Sequence, residues 1–374
     1  MNELLVFGDF TAESRGQKSI CMKAAISDSI VSKIQASAYS IVNLEAPVIN
    51  KGFQPIAKFG PNLHMSSDAI SYLKDVGVNC VTLANNHFYD YGSEGVNKTI
   101  EVLDNEDICH VGGGRNEDEL KRILYIEFAD TKIAVLNYCE TEFSIQKGIG
   151  SNQLDVIRFF YDIQEAKKHS DIIITIVHGG HEGYNLPSPR MKRTYRYMID
   201  CGADIVINHH QHCYSGYECY NGKMIYYGLG NFFFDDRDLK YDKLWTEGYF
   251  VSIQIEEKKV IQTSIHPYVQ CRGNEVFVRS MTIDEENEFH ENVHEINRII
   301  NDENQLVKCF DDFCLKKKNN YLVVLAPYSN RLLVALSKRH LLPNFIGIKR
   351  KLSLLNYVQC ESHRDIILKS LKTN

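Results

Sequence analysis

The segment Asp204-Ile-Val-Ile-Asn-His-His-Gln-His212 joins a strand pattern to a cluster of imidazoles. The apolar run at residues 205–207 predicts a short buried strand, and three histidines follow at its end. Histidine is the commonest metal ligand at neutral pH, and open α/β sheets place ligands beyond the carboxyl ends of their strands. The segment therefore predicts a metal site, with a solvated histidine-rich loop as the alternative.

Four earlier apolar runs also end in side chains of the kind that bind metals. These ends carry an acid, an amide or an imidazole, namely Asp9, Asn43, Glu45, Asn85, Asn86, His87 and His178, with His181 and Glu182 just beyond. Any one of them could be a helix cap or a satisfied polar residue. Five such ends in strand order predict one shared site. Its mixture of carboxylate, amide and imidazole suits Mn, Fe, Zn or Ni, as one ion or as a pair.

Strand and helix patterns alternate over about the first 235 residues, which predicts a layered α/β sheet. The predicted strands include 4–9, 40–44, 79–84, 171–177 and 204–208, and the predicted helices include 24–38, 66–76, 93–105, 155–169 and 188–201. Residues 249–255 and 260–269 alternate apolar and polar side chains, as antiparallel strands that close the sheet would.

The sequence texture changes again near residue 281. Helical patterns cover 284–315, 320–340 and 350–372. We therefore expect one domain at 1–280 and a helical C-terminal extension at 281–374. An oligomer or a partner in a biosynthetic complex could bind through that extension.

Composition excludes several classes of function. A net charge of −6 over 374 residues gives no reason to expect nucleic acid as a partner. The 11 cysteines are an odd number without a Cys-x-x-Cys pair, which is typical of reduced thiols in a cytoplasmic protein. No signal peptide and no apolar run long enough to span a membrane is visible. We expect a cytoplasmic protein with no direct membrane anchor.

Several short motifs together resemble the CapA family, named for poly-γ-glutamate capsule synthesis and related in fold to calcineurin-like metallophosphatases. They are Gly8-Asp9, Asn43-Leu-Glu-Ala-Pro47, Leu83-Ala-Asn-Asn-His87, Asp90-Tyr-Gly92, Val111-Gly-Gly-Gly114, His178-Gly-Gly-His-Glu182, Gly202-Ala203 with the histidine segment, and Tyr227-Gly-Leu-Gly-Asn-Phe232. The resemblance covers about residues 1–235. It implies an α/β, metallophosphatase-like sandwich of two mixed sheets flanked by helices.

The resemblance also implies roles for individual residues. The implied metal ligands are Asp9, Glu45, Asn86, His178, His210 and His212. The residues expected to act in catalysis are His87, Glu182 and His209. The residues expected to contact the substrate are Asn43, Asn85, Gly179, Gly180 and Asn231.

This chain departs from the phosphatase pattern in its first motif and from the CapA pattern at Gly179, among other places. The first motif usually reads Asp-x-His, and here it reads Asp9-Phe10-Thr11, which removes one expected ligand. Gly179 stands where the family commonly has Trp, which could open the site to a larger substrate.

Three functions remain open from the sequence. The first is a metal-dependent hydrolase or transferase acting on a phosphoester or an amide-linked polymer, such as in capsule synthesis. The second is a CapA-like peptide epimerase that inverts a Cα centre with paired acid and base groups. The third is a non-catalytic component of a polymer-synthesis complex. The substrate would be a small molecule, a peptide or a polymer.

Overall fold

Two mixed β-sheets form the framework of the protein in a computed structural model, which describes residues 3–128, 130–142, 145–146, 148–325 and 347–372. The strands are β1 (Glu3–Thr11), β2 (Tyr39–Leu44), β3 (Cys80–Thr82), β4 (Cys109–Val111), β5 (Gly113–Gly114), β6 (Leu124–Phe128), β7 (Thr131–Cys139), β8 (Ile145–Gln146), β9 (Ile149–Ser151), β10 (Ile172–His178), β11 (Ile205–His209), β12 (Tyr217–Tyr220), β13 (Lys223–Tyr226), β14 (Asn231–Phe234), β15 (Glu247–Glu256), β16 (Lys259–Gln270) and β17 (Val278–Ser280).

Helices flank the sheets and make up the C-terminal part of the chain. They are α1 (Ser14–Cys21), α2 (Asp28–Ala36), α3 (Ser67–Val76), α4 (Gly92–Asn105), α5 (Glu117–Leu120), α6 (Val156–His169), α7 (Pro189–Cys201), α8 (Lys243–Thr246), α9 (Ile283–Asn301), α10 (Glu303–Leu325), α11 (Ile348–Gln359) and α12 (Glu361–Lys372).

Both large sheets combine parallel and antiparallel strands. The first has the order β17-β16-β15-β1-β2-β3-β4, with β14 also paired to β1, and the second has the order β12-β13-β11-β10-β7-β6. Strands β1 to β4 run parallel, while β15 to β17 are antiparallel, as residues 249–255 and 260–269 predicted. Strands β5, β9 and β8 form a small third sheet.

Alternation along β1 explains why the two sheets stack. Leu4 and Val6 belong to the core between the sheets, while Leu5 and Phe7 belong to the core under α1 to α4. Successive strand side chains point to opposite faces, so a strand buried on both faces is apolar throughout. The sequence therefore places β1 in the middle of its layer, and the end of β1 lies over the second sheet.

The C-terminal helices pack on the same core as the second sheet. Phe289, Ile300, Leu306 and Ile366 share that cluster with the strands. The predicted two-sheet sandwich with a helical C-terminal region is confirmed for the described residues. The part of the predicted helix 320–340 beyond residue 325 lies outside them, and the domain boundary at 280 stays a prediction. Among the described residues, no helix combines the length and the apolar character that crossing a membrane requires.

The predicted helix at 24–38 was wrong in its extent. Within that range the structure has one helix, α2 (Asp28–Ala36), and a separate helix that was not predicted, α1 (Ser14–Cys21), comes before it. Lys23 between them has a φ of 54°, a left-handed conformation that interrupts helical hydrogen bonding. The mainly polar sequence of α1 gave no apolar periodicity long enough to predict a helix.

Candidate metal centre

Parallel strand ends bring three buried candidate ligands together. Asp9 lies near the end of β1, Glu45 follows β2, and His178 ends β10, and each is at most 2% exposed. His178 Nε2 lies 3.3 Å from Glu45 Oε1, and its Nδ1 lies 3.8 Å from Asp9 Oδ1. The two sheets thus contribute opposite walls of one site.

The histidine segment after β11 supplies the next two ligands. His210 Nδ1 lies 3.1 Å from His178 Nε2. His212 spans both carboxylates, with its Nδ1 3.6 Å from Asp9 Oδ2 and its Nε2 3.6 Å from Glu45 Oε1. Asn86 Oδ1 lies 2.9 Å from His178 Nε2. The six side chains for which the resemblance implied metal binding therefore converge.

The backbone of the histidine segment is held in an uncommon conformation. His210 has a φ of 92° and His212 a φ of 53°, and such values for residues other than glycine cluster at functional sites. The backbone N–H of His210 donates to Asp9 Oδ2 at 3.2 Å, which helps hold the segment in place. Both imidazoles thus reach the carboxylates through a backbone conformation that is locally strained.

Amide side chains orient these ligands. Asn43 Nδ2 donates to Asp9 Oδ1 at 2.7 Å, and Asn231 Oδ1 lies 2.9 Å from His212 Nδ1. Asn85 donates to the carbonyl oxygen of Leu44 at 2.8 Å. Partners of this kind fix the ring orientation and tautomer of a ligand. The predicted substrate contacts of these amides stay predictions, since each described partner is a protein group.

Glu45 provides a test of whether the site fits a cation. Neither oxygen of this fully buried carboxylate has a hydrogen-bond partner among the described residues. His212 lies near both carboxylates, so it can offset only one of the two buried negative charges, and the other is unfavourable. Burial raises the pKa of Glu45 and of Asp9, and the nearby Glu45 carboxylate raises the Asp9 pKa further. A divalent cation fits this pair, and the nitrogen and oxygen donors suit a first-row metal.

The histidines differ in protonation. Burial lowers the pKa of His178 to about 3 and that of His209 to about 4, so both rings are neutral at pH 7, as metal ligands must be. Burial acts in the same direction on His212, but Glu45 and Asp9 outweigh it and raise its pKa to about 9. Without a cation, the His212 imidazolium is the charge that offsets the two carboxylates.

His87 belongs to a buried triad at the edge of the centre. Its Nδ1 lies 2.7 Å from Asp90 Oδ2 and 3.2 Å from Lys58 Nζ, and Lys58 forms an ion pair with Asp90. Asp90 fixes the ring of His87, as a carboxylate fixes a catalytic imidazole. The sequence included Asp90 in a motif without a role and gave no signal for Lys58.

A cavity of about 140 Å³ opens beside the centre, and the C-terminal extension forms part of its wall. Its lining includes Gly180, Glu182 and His210 from the predicted set. The extension contributes Phe313, Lys317, Ser362, His363 and Ile366. These residues of the extension form a roof over the cavity. His181 Nε2 lies 2.9 Å from the carbonyl oxygen of Ser362, and this contact connects the roof to the loop after β10.

Two carboxyl groups in the cavity have opposite tendencies. Burial, and then repulsion from Glu182, raise the pKa of Glu142 to about 7. Burial would also raise the pKa of Glu182, but His210, His212 and His87 outweigh it and lower that pKa. Near neutral pH, Glu182 is therefore ionised and Glu142 is divided between its protonated and ionised forms. Glu142 follows β7 in a segment without a recognisable motif, so the sequence did not indicate it.

Other predicted positions lie away from the cavity lining. His209 is 2% exposed, and neither of its ring nitrogens has a hydrogen-bond partner among the described side chains. A Cβ on Gly179 would lie 2.7 Å from Glu140 Cγ, so the space beside this glycine is filled by Glu140. Thr11, at the place of the missing phosphatase histidine, is buried and its Oγ1 has no described hydrogen-bond partner.

Together, the fold and the site define an α/β sandwich with a buried cluster of metal-binding side chains at its strand ends. The pattern of the bacterial capsule synthesis protein PGA_cap matches residues 3–236. The chain belongs to this family.

Curated relatives carry the same theme in their names. The chain is 31% identical over 212 residues to the capsule biosynthesis protein CapA of Bacillus anthracis, covering 54% of this chain and 52% of the relative. It is 35% identical over 206 residues to the PGA biosynthesis protein CapA of Bacillus subtilis, covering 54% of each. The chain thus spans about half the length of the curated relatives it matches.

Solved structures of similar arrangement include a phosphatase from Mycoplasma pneumoniae. The superposition has a TM-score of 0.48 at 16% identity and covers 72% of this chain and 93% of that one.

Proposed function

We propose that this protein is a metal-dependent hydrolase or transferase acting on a phosphoester or on an amide-linked polymer of the capsule type. The observation that carries the proposal is the buried Glu45 carboxylate, both of whose oxygens lack a described hydrogen-bond partner beside Asp9. A purely structural pair of this kind would destabilise the fold, whereas a cation between the strand ends would offset both charges.

The chain divides the work of such a reaction among its side chains. The residues that would hold the metal are Asp9, Glu45, Asn86, His178, His210 and His212. When bound, a divalent cation lowers the pKa of water towards about 7 and polarises the bond under attack. Glu182 would accept a proton, and His87, whose ring Asp90 holds, would donate one to a leaving group. The C-terminal extension covers part of the cavity, which would limit the access of bulk water.

The proposed substrate class draws on the relatives and on the site. The two Bacillus relatives are named for biosynthesis of a capsule and of PGA. This chain covers only about half of each, so a polymer of that kind is proposed for it here by family membership. We also propose that the protein is cytoplasmic and that a partner docks on its C-terminal extension.

Metal analysis of purified protein tests the proposal. We expect one or two equivalents of divalent metal per chain, and a large loss in the His210→Ala/His212→Ala double variant. The matched control is His290→Ala/His294→Ala, which removes two exposed histidines of α9. Hydrolysis of a phosphoester and of a γ-glutamyl amide is then assayed with the loaded protein. A protein that takes up no metal would support the non-catalytic function instead.

Inversion of a Cα centre is the second candidate. It needs one group that removes a proton and another that returns it, and the ionised Glu182 with the protonated fraction of Glu142 would be such a pair in one cavity. Incubation of candidate peptides in deuterated water distinguishes the two reactions. Incorporation of deuterium at Cα without bond cleavage would favour inversion, and cleavage without exchange would favour hydrolysis.

A further inference from the structure

A second group of side chains of the metal-binding type lies where the C-terminal extension meets the family segment, which is residues 3–236. Glu142, Cys360 and His363 each place a ligand atom within 4.8 Å of the others. None of the three belongs to the six ligands of the centre described above. We propose that this group, called here the roof site, binds a zinc-class divalent ion. This inference goes beyond the proposed function and does not depend on it.

The donor atoms define the class of ion. A thiolate and an imidazole favour zinc and its transition-metal neighbours over magnesium or calcium, which prefer oxygen alone. The ligands predicted for the centre at Asp9 include no sulfur, so the two sites differ in softness. Three protein ligands leave a fourth position of a tetrahedral ion open, as in catalytic zinc sites.

The local fold presents the three side chains from two parts of the chain. Cys360 lies between α11 and α12, and His363 follows in the first turn of α12. The Cys360 side chain is buried, and its Sγ lies 3.0 Å from Ser362 Oγ. Burial and the neighbouring Glu142 and Glu140 carboxylates raise the pKa of the Cys360 thiol, so a bound ion would have to displace its proton to gain the thiolate. Glu142 approaches from the segment after β7, so an ion would join the extension to the family segment.

Acidic groups also outnumber basic groups around the roof site, and this supports the proposal independently of the three ligands. Arg190 makes contacts to three carboxylates, with distances of 2.6 Å to Glu140, 3.6 Å to Glu361 and 2.8 Å to Asp365. Arg364 lies 3.7 Å from Glu361, so two guanidinium groups are available for these three carboxylates, and Glu142 adds a fourth. Glu140 is only 7% exposed, and its Oε2 has no described hydrogen-bond partner. A divalent ion beside Cys360 would supply the missing positive charge.

The roof site also borders the cavity. Glu142 and His363 both line it, so the open position of the ion would face the space beside His210. An ion there would pin α12 over the cavity and add a Lewis acid to its wall. The extension would then complete the pocket chemically as well as sterically.

Cobalt substitution tests the proposal on the full-length protein. Metal-free protein is titrated with Co²⁺, and the near-ultraviolet charge-transfer absorption of a cobalt–thiolate bond is recorded with the metal stoichiometry. We expect the absorption in the wild type, and in Cys360→Ser we expect its loss together with about one equivalent of metal. The matched control is Cys314→Ser, an equally buried thiol of α10, which should leave both unchanged.

Two further variants keep the result interpretable. Glu142→Gln, nearly the same shape, should weaken cobalt binding at the roof site by at least about tenfold without altering the far-ultraviolet circular dichroism. The His210→Ala/His212→Ala variant should lose metal from the centre while keeping the thiolate absorption, which separates this inference from the proposed function. Absence of the absorption in the wild type, or its persistence in Cys360→Ser, would overturn the proposal.

Discussion

Replacing Glu45 by glutamine should separate the cost of the metal centre from its benefit. The Glu45→Gln substitution keeps the shape of the side chain and removes one of the two buried negative charges that share the His212 imidazolium. The metal-free variant should therefore be more stable than the metal-free wild type, since Asp9 alone then faces the His212 imidazolium. In the presence of metal the order should reverse, because the variant has lost a ligand.

The size of both effects follows from the structure. A buried charged group without a partner costs at least about 1–3 kcal/mol, and an ion present at one hundred times its Kd stabilises the fold by about 2.7 kcal/mol. For 374 residues, an unfolding entropy of about 2.1 cal/mol/K per residue amounts to about 0.8 kcal/mol/K. Metal-free Glu45→Gln should gain about 1–4 °C in Tm, and the wild type should gain about 3 °C per bound ion.

Differential scanning calorimetry after dialysis against a chelator, with and without added Mn²⁺ or Zn²⁺, measures these shifts. Glu291→Gln, on an exposed face of α9, is the matched control and should behave as the wild type does. If Glu45→Gln responds to metal as strongly as the wild type, Glu45 is not a metal ligand. If the metal-free Tm of the variant falls below that of the wild type, Glu45 is not an unfavourable buried charge.

Three other perturbations follow from the geometry. Because the pKa of His212 is about 9 without metal, ion binding at pH 7 should release the proton of its ring. The apparent affinity for the ion should therefore rise about tenfold per pH unit up to about pH 9. Titration calorimetry in two buffers of different ionisation enthalpy measures the number of protons released. A Cβ at Gly8 would lie 1.9 Å from the Gly230 carbonyl oxygen, so Gly8→Ala should cost about 1–3 kcal/mol in urea unfolding. Arg190→Ala leaves Glu140 without its ion-pair partner and should cost about 2–3 kcal/mol by the same measurement, with faster proteolysis of the extension.

Local sequence patterns were sufficient to predict that polar side chains at the strand ends lie together. Asp9 and His178 each come at the end of an apolar run, and parallel strands bring such ends to one edge. The two-sheet sandwich followed from the family resemblance, and the described sheets confirm it. The same patterns missed α1, whose mainly polar sequence lacks a long apolar stripe.

Contacts between distant parts of the chain could not be predicted from the sequence. Glu142 and His363 are separated by more than two hundred residues, and neither lies at the end of an apolar strand pattern. Their proximity depends on how the extension packs, which Phe310 and Ile366 decide by burying their side chains in the core beside the second sheet. Lys58 likewise reaches His87 from a loop whose path no local signal fixes.

The roof has a consequence for biosynthesis of the protein itself. Roughly 160 residues separate His212 from Lys372, and translation at about 5–20 residues per second needs roughly 8–32 s to make them. The strand-end ligands are therefore complete on the ribosome while the helices that cover them are still unmade. A nascent chain would acquire its ions through an open site, and docking of α12 would then slow their exchange for the life of the protein.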